Sequence, residues 1–192
     1  MKVSVVIPTI RGREDHLQTC VDAYQATVRD LELIVVPDRP SCGSAWSEGA
    51  CQADGEYVHF TCDDIEPQPG WFEAAQESVA RDEQPAPRIV GSDGALHQCG
   101  DSNQPVEHDD GWESPFSSLP FMKMDWWSQI EQVPDSLHYF SDNWMSAELR
   151  GLGVVPRVNR DYLFVHHHAK VGRLDDRLAT DLREYERLRG SL

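Results

Sequence analysis

Positive charge is scarce in this 192-residue sequence: 17 Lys and Arg stand against 33 Asp and Glu, a formal net charge of −16. Such a surface repels polyanions, and nucleic-acid binding draws most of its affinity from cations set against phosphates. Duplex DNA or RNA is therefore a disfavoured partner. A small phosphorylated ligand is still compatible, because one metal ion and a few basic side chains can hold it locally. Cysteine is sparse too. Cys20, Cys42, Cys51, Cys62 and Cys99 are odd in number and scattered, with no CxxC pair. That pattern excludes a disulfide framework and a zinc ribbon, and fits reduced thiols inside a cell. No apolar run has the length that spans a bilayer. The opening MKVSVVIPT meets Pro8 where a signal peptide would continue its apolar core, so the expected location is cytoplasmic. Internal repeats and low-complexity tracts are lacking.

Hydrophobic residues make up 40% and charged residues 26%, the balance of a globular chain of one domain with a single core. The continuous β-branched run Val3–Ile7 reads as a strand covered on both faces. A helical pattern follows over Glu14–Thr27, with Leu17, Val21 and Tyr24 on one side. Leu31–Val36 is the second strand, Ser44–Ala53 a short helix, Tyr57–Thr61 the third strand and Gly70–Arg81 the next helix. This alternation argues for βαβ units and a parallel sheet.

The middle is less regular. Pro85–Pro87 reads as a connector and Arg88–Ser92 as a short strand. Asp93–Ser118, rich in Gly, Asp, Asn, Pro and Ser, reads as a long loop or an acceptor-facing insertion, and loops of this length are often functional. Phe121–Met124 is strand-like, Asp125–Val133 a short helix and Ser141–Leu152 a longer one. Two strand patterns follow, Val154–Val158 and Tyr162–Val165. Asp175–Leu192 is an amphipathic, charged helix, read as a solvated face or a dimer support.

Three chemically distinctive segments fall at the C-terminal ends of the first three strands, where open α/β sheets bind ligands. After the first strand, Thr9, Arg11 and Arg13 can donate to a phosphate or a base. After the second, Asp38 can accept from a ribose hydroxyl or a base N–H. After the third, Asp63 and Asp64 can hold a divalent metal bridging two phosphates, since hard cations take oxygen ligands. Together they describe a nucleotide-diphosphate site.

The order VSVVIPT, LELIVVPD and GEYVHFTCDDIEPQPGWF resembles the N-terminal half of a family 2 glycosyltransferase. The likeness continues through Phe121–Met124, Asp125–Ile130, Phe140–Trp144, Leu149–Gly153 and His166–His168, and covers nearly the whole chain except Asp93–Ser118. It implies an α/β fold of the GT-A (Rossmann-like) type: a single domain with a mostly parallel central sheet flanked by helices. Residues 1–92 would form the nucleotide-binding half, 93–174 the acceptor side and 175–192 a C-terminal helix. The implied reaction moves a sugar from a nucleotide-diphosphate-sugar donor to an acceptor hydroxyl, with inversion and with Mn²⁺ or Mg²⁺ as cofactor.

The resemblance also distributes roles. Pro8, Thr9 and Arg11 would line the base and ribose, Asp38 would contact the base, and Asp63 would join the donor site. Cys62-Asp63-Asp64 falls at the family's Asp-x-Asp motif, with Cys62 in place of the first aspartate and Asp64 as the retained metal ligand. A thiolate is softer than a carboxylate, which would alter metal preference. Asp142 falls at the catalytic base, which takes the proton of the acceptor hydroxyl; as a plain sequence feature, Ser141 or Asp142 also reads as a helix N-cap. One or more of His166, His167 and His168 would reach the metal; in an extended segment His166 and His168 share a face that His167 opposes. Lys170 and Arg173 could meet the leaving diphosphate. Trp126 or Trp127 could stack on the acceptor sugar, whereas Trp144 reads as core. Two other functions fit the same residues: a catalytically degenerate domain that binds nucleotide or glycan, and a sugar-phosphate nucleotidyltransferase. The latter is weakened by the single glycine in the loop PTIRGRED.

Overall fold

The computed structural model describes residues 1–100, 106–167 and 174–190. Strand β1 (Val3–Thr9), helix α1 (Glu14–Thr27), β2 (Leu31–Pro37), α2 (Cys42–Ala50) and β3 (Tyr57–Phe60) follow the alternation expected from the sequence. The apolar run of β1 is fully buried because β1 is interior, paired in parallel with β2 on one side and β3 on the other. Pleating assigns the two faces. Val6 is in register with Phe60, and on that side Trp46 of α2 packs on Phe60 at 5.5 Å between ring centroids. His59 points the other way, to Tyr24 of α1 and to Trp71, which opens α3 (Trp71–Ala80). Any side chain at position 49 would collide with Val6, so Gly49 lets α2 close on the sheet.

The remaining strands are β4 (Ile65–Pro67), β5 (Glu83–Gly91), β6 (Leu96–Cys99), β7 (Phe121–Lys123) and β8 (Val155–His166). They complete two four-stranded sheets, ordered β2-β1-β3-β7 and β4-β8-β5-β6. β7 runs antiparallel to β3, β4 antiparallel to β8, and β6 antiparallel to β5, while β5 and β8 are parallel. The α/β class expected from the sequence holds. In place of one central sheet there are two mixed ones: in the first, β2, β1 and β3 are parallel and only the edge strand β7 is antiparallel, whereas in the second only β5 and β8 are parallel. β4 and β6 are only three and four residues long and too short to carry a periodicity signal, and the antiparallel direction of β7, expected as a strand at Phe121–Met124, is set by pairing with β3 rather than by pattern.

Pro85 and Pro87 lie inside β5 rather than in a connector. A proline cannot donate to a ladder, but both carbonyls are used: Ser117 Oγ donates to the Pro85 carbonyl at 2.6 Å and the Gly100 N–H to that of Pro87 at 2.9 Å. β8 is one strand where the sequence indicated two, and a register shift between Ala86 and Arg88 of β5 absorbs the polar interruption at Asn159–Asp161. The long polar segment after β5 is not one loop. It begins as the β5–β6 hairpin. Residues 106–118 then run beside the start of β8, with Gly111 N–H donating to Val158 O, Ser114 N–H to Pro156 O, and Glu113 bridging Arg157. That end of β8 is eleven residues from His166, so this stretch does not face the strand ends that hold the acids.

Helix α4 (Met124–Trp127) is shorter than the expected 125–133 and places Trp126 and Trp127 in the core, each 8% exposed. Trp127 packs on Phe60 at 5.1 Å. The acceptor-stacking role expected for these two residues is overturned, because protein covers the ring faces that a sugar would need. Helices α5 (Ser141–Gly151) and α6 (Leu174–Arg189) complete the chain. Among the described residues no helix is long and apolar enough to cross a membrane.

Candidate functional site

Because β1 is parallel to both neighbours, the C-terminal ends of β1, β2 and β3 emerge on one edge of their sheet. β8 reaches the same edge through its pairing with β4, where Ile65 is in register with His166. A cavity of about 440 Å³ opens there. Pro8, Thr9, Arg13, Asp63, Asp64 and His166 line its polar side, and Ile10, Val36, Ala45 and Cys42 much of its apolar wall.

The acids sit on a turn held at several points. Trp46 Nε1–H donates to the Thr61 carbonyl at 3.2 Å, Cys20 Sγ to that of Cys62 at 3.4 Å, and the His167 N–H to that of Asp64 at 2.8 Å. Arg13 lies across both carboxylates. Its Nε is 2.9 Å from each Asp63 oxygen, and its Nη2 is 2.7 Å from Asp63 Oδ1 and 2.8 Å from Asp64 Oδ2. Thr9 Oγ1 donates to Asp63 Oδ2 at 2.7 Å. The three charged side chains are 15%, 7% and 14% exposed, so this ion triad is largely desolvated. Desolvation, the largest single influence on Asp64, opposes ionisation, yet contacts from His166 and Arg13 hold its carboxyl below the ordinary value. The same carboxylates push the Arg13 guanidinium up.

His166 Nε2 is 3.5 Å from Asp64 Oδ1. His167 turns the opposite way and meets Glu66 Oε2 at 2.8 Å, as alternation in an extended segment requires. His168, Lys170 and Arg173 lie outside the described residues. Across the β5–β6 hairpin, the ring of His97 approaches that of His166, with centroids 6.4 Å apart.

Asp38 and Arg11 are in the neighbourhood but bind each other. Asp38 has a left-handed backbone, φ 54°, and its carboxylate accepts from the Arg11 N–H at 3.1 Å and Arg11 Nε at 2.9 Å. Neither lines the cavity, and the Arg11 side chain is 92% exposed. Of the first-loop basic residues it is Arg13, not Arg11, that the fold brings to the acids.

Asp142 is in the first turn of α5 and outside the cavity lining. Its carboxyl is desolvated and pushed up to about 7, with the Asn143 N–H, 2.8 Å from Oδ1, pulling the other way. The N-cap alternative is not realised. Phe140 occupies that position, and Ser141 Oγ instead donates back to the Leu137 carbonyl at 3.1 Å.

The segment before α5 supplies a wall that the sequence did not reveal. His138 and Tyr139 line the cavity. His138 Nδ1 accepts from the Cys42 N–H at 3.1 Å, and desolvation lowers the His138 pKa. A neutral ring that accepts at Nδ1 carries its proton on Nε2. Helix α6 holds this wall from behind. Asp181, 5% exposed, accepts from the N–H groups of both His138 and Tyr139 at 3.0 Å, and Arg177 donates to the Pro40 carbonyl at 2.8 Å. No single-residue signal could have found His138 and Tyr139, because they are held at the site by contacts with the distant α2 and α6.

Among the described residues no three His, Cys, Asp or Glu side chains form a ready-made metal cage. The donor set nonetheless fits a hard cation of the Mn²⁺ or Mg²⁺ kind in one respect. Asp64 Oδ1 and His166 Nε2 face each other, and such ions are commonly held by one or two protein ligands plus substrate phosphates and water. No protein-family model matches this chain, and no curated protein matches it.

Proposed function

We propose that the chain is a GT-A-type glycosyltransferase that moves a sugar from a nucleotide-diphosphate donor to a hydroxyl-bearing acceptor, with inversion. The observation that carries this reading is the coincidence, in one cavity at the ends of three strands, of an apolar wall, a desolvated acid pair and a histidine. The apolar wall of Ile10, Val36 and Ala45 suits a base, and the Asp64–His166 side suits a diphosphate. Asp64 and His166 would hold Mn²⁺ or Mg²⁺, which when bound neutralises charge developing on the leaving diphosphate. Arg13 fixes the carboxylate positions and keeps Asp63 out of bulk water. The His138 Nε2–H can donate to a ligand oxygen. Asp142, held near 7, is suited to take the acceptor proton at neutral pH.

Hydrolysis or transfer from UDP- and GDP-sugars, assayed with and without Mn²⁺, tests the proposal. Asp64→Ala and Asp142→Asn are each expected to lower turnover by at least about a hundredfold. The wild-type rate should rise with pH through about 7 as Asp142 ionises. Full activity in both variants would sink the assignment.

Two observations favour a second reading, a domain that binds nucleotide without turnover: Asp142 is outside the cavity lining and Arg13 already pairs with both acids. Calorimetry that finds tight UDP or GDP binding, alongside no donor hydrolysis with any acceptor, selects it.

A further inference from the structure

Cys62 stands where the family resemblance expects an aspartate, and the proposed reaction gives its thiol no task. Its surroundings do. Cys42 and Cys62 both line the same cavity wall, both are half-buried, and the Cys42 side chain is the foremost influence on the Cys62 thiol. Each is mounted on a fixed element. Cys62 opens the turn whose carbonyls are held by Trp46 and Cys20 and whose carboxylates are held by Arg13. Cys42 is the first residue of α2, behind a reciprocal Ser41–Ser44 capping box, with its N–H taken by His138. A sulfur there meets the end of the helix where negative charge is favoured. The other thiols are placed differently: Cys20 and Cys99 are buried and Cys51 is exposed.

We infer that Cys42 and Cys62 form a peroxide-responsive dithiol–disulfide site in the cavity wall, with Cys42 as the attacking thiol and Cys62 as the resolving one. In the first step Cys42 sulfur attacks a hydroperoxide oxygen. The O–O bond breaks, the alcohol or water leaves with the thiol proton, and Cys42 becomes a sulfenic acid. In the second, Cys62 sulfur attacks the Cys42 sulfur. The S–S bond forms, the S–O bond breaks, and water leaves with the Cys62 proton. The two thiols lose two electrons together and the peroxide gains them. This arrangement has the features of a redox-sensitive cysteine, an accessible thiol beside a resolving partner. The inference does not depend on the donor reading, because its experiment reads the disulfide itself.

The test treats the full chain with hydrogen peroxide, alkylates the remaining thiols and maps unreduced peptides by mass spectrometry. A Cys42–Cys62 cross-linked peptide that lacks two hydrogens, dominates the oxidised products and disappears with dithiothreitol is the expected result. Cys62→Ala should stop at a Cys42 sulfenic acid that dimedone traps, whereas Cys42→Ala should leave Cys62 unoxidised under the same treatment. Wild-type oxidation confined to Cys51, or a Cys42 that proceeds to sulfinic acid with no cross-link, overturns the proposal. The wild-type map needs no substitution, so a variant that fails to fold does not blunt it. Failure of UDP or GDP to bind the reduced protein would count against the donor reading alone.

Discussion

At the scale of single residues the centre of the molecule is the Arg13–Asp63–Asp64 triad. Two adjacent carboxylates with 7% and 14% exposure cannot both stay ionised without a cation, and the Arg13 fork supplies it with four short contacts. Removing one member of a buried ion group leaves uncompensated charge and costs about 3–5 kcal/mol. Arg13→Gln is therefore expected to lose about 3 kcal/mol in urea unfolding at neutral pH. Arg13→Lys should recover only part of that, because an ammonium cannot reproduce the bidentate contact. The deficit of Arg13→Gln should shrink on acidification: the stability from an Asp64 held below its ordinary value is present at neutral pH and lost as pH falls through its folded pKa. A deficit that does not change with pH would rule this out. The sequence marked Arg13 as a basic loop residue and Asp63 and Asp64 as ligand acids. That they bind one another was not legible, because Arg13 is 50 and 51 positions from Asp63 and Asp64 and only the parallel register of β1 and β3 closes the gap.

At the scale of elements, α6 changes most between sequence and structure. Its spacing of Leu178, Leu182, Tyr185 and Leu188 suggests an amphipathic helix on a solvated face, yet Leu178 and Leu182 are over 40% exposed. The polar residues turn inward instead. Asp181 binds two backbone N–H groups of the cavity wall, Tyr185 stacks on Phe140 at 5.4 Å, and Arg189 lies over Trp144 at 4.1 Å. Asp181→Ala strands two N–H groups and is expected to cost about 2 kcal/mol. It should also weaken UDP or GDP binding about tenfold, which is 1.4 kcal/mol, because His138 and Tyr139 lose their backing. Calorimetry on the folded variant checks the second effect separately from unfolding. Unchanged affinity would reduce α6 to a stabilising strap. Hydrophobic periodicity carries only half of this: Tyr185 and Leu188 pack on the core as their spacing indicates, whereas Asp181 and Arg189 dock through charge, which apolar spacing does not record.

At the scale of the whole molecule, one buried network ties the two sheets together. His59 of β3 lies between Tyr24 OH, 2.8 Å from Nε2, and Tyr162 OH of β8, 3.0 Å from Nδ1. Tyr162 donates its single hydroxyl proton to the Leu119 carbonyl at 2.6 Å. It must therefore accept from Nδ1–H, which leaves Nε2 to accept from Tyr24. Burial drives the His59 pKa from 6.5 to about 3. A histidine depressed in the folded state contributes stability above its unfolded pKa and loses it as pH falls towards the folded value. Unfolding free energy should accordingly decline between pH 6.5 and about 3, and His59→Asn should flatten that slope. An equal slope in both proteins would dismiss His59 as the source.

The sequence by itself determined the α/β class, the β1-to-β3 order and the delivery of Asp63 and Asp64 to a strand end. Each of these is written in short-range periodicity and turn residues. β4 and β6 were lost because strands of three and four residues are too short to display a period. Only the tertiary structure decided that the sheets are two and mixed, and that Trp126 and Trp127 are core. It also turned Arg13 rather than Arg11 onto the acids, and put Cys42 and Cys62 in the lining of one cavity. Those outcomes depend on pairing register and helix docking between distant segments, which arise from packing the whole chain and leave no local trace.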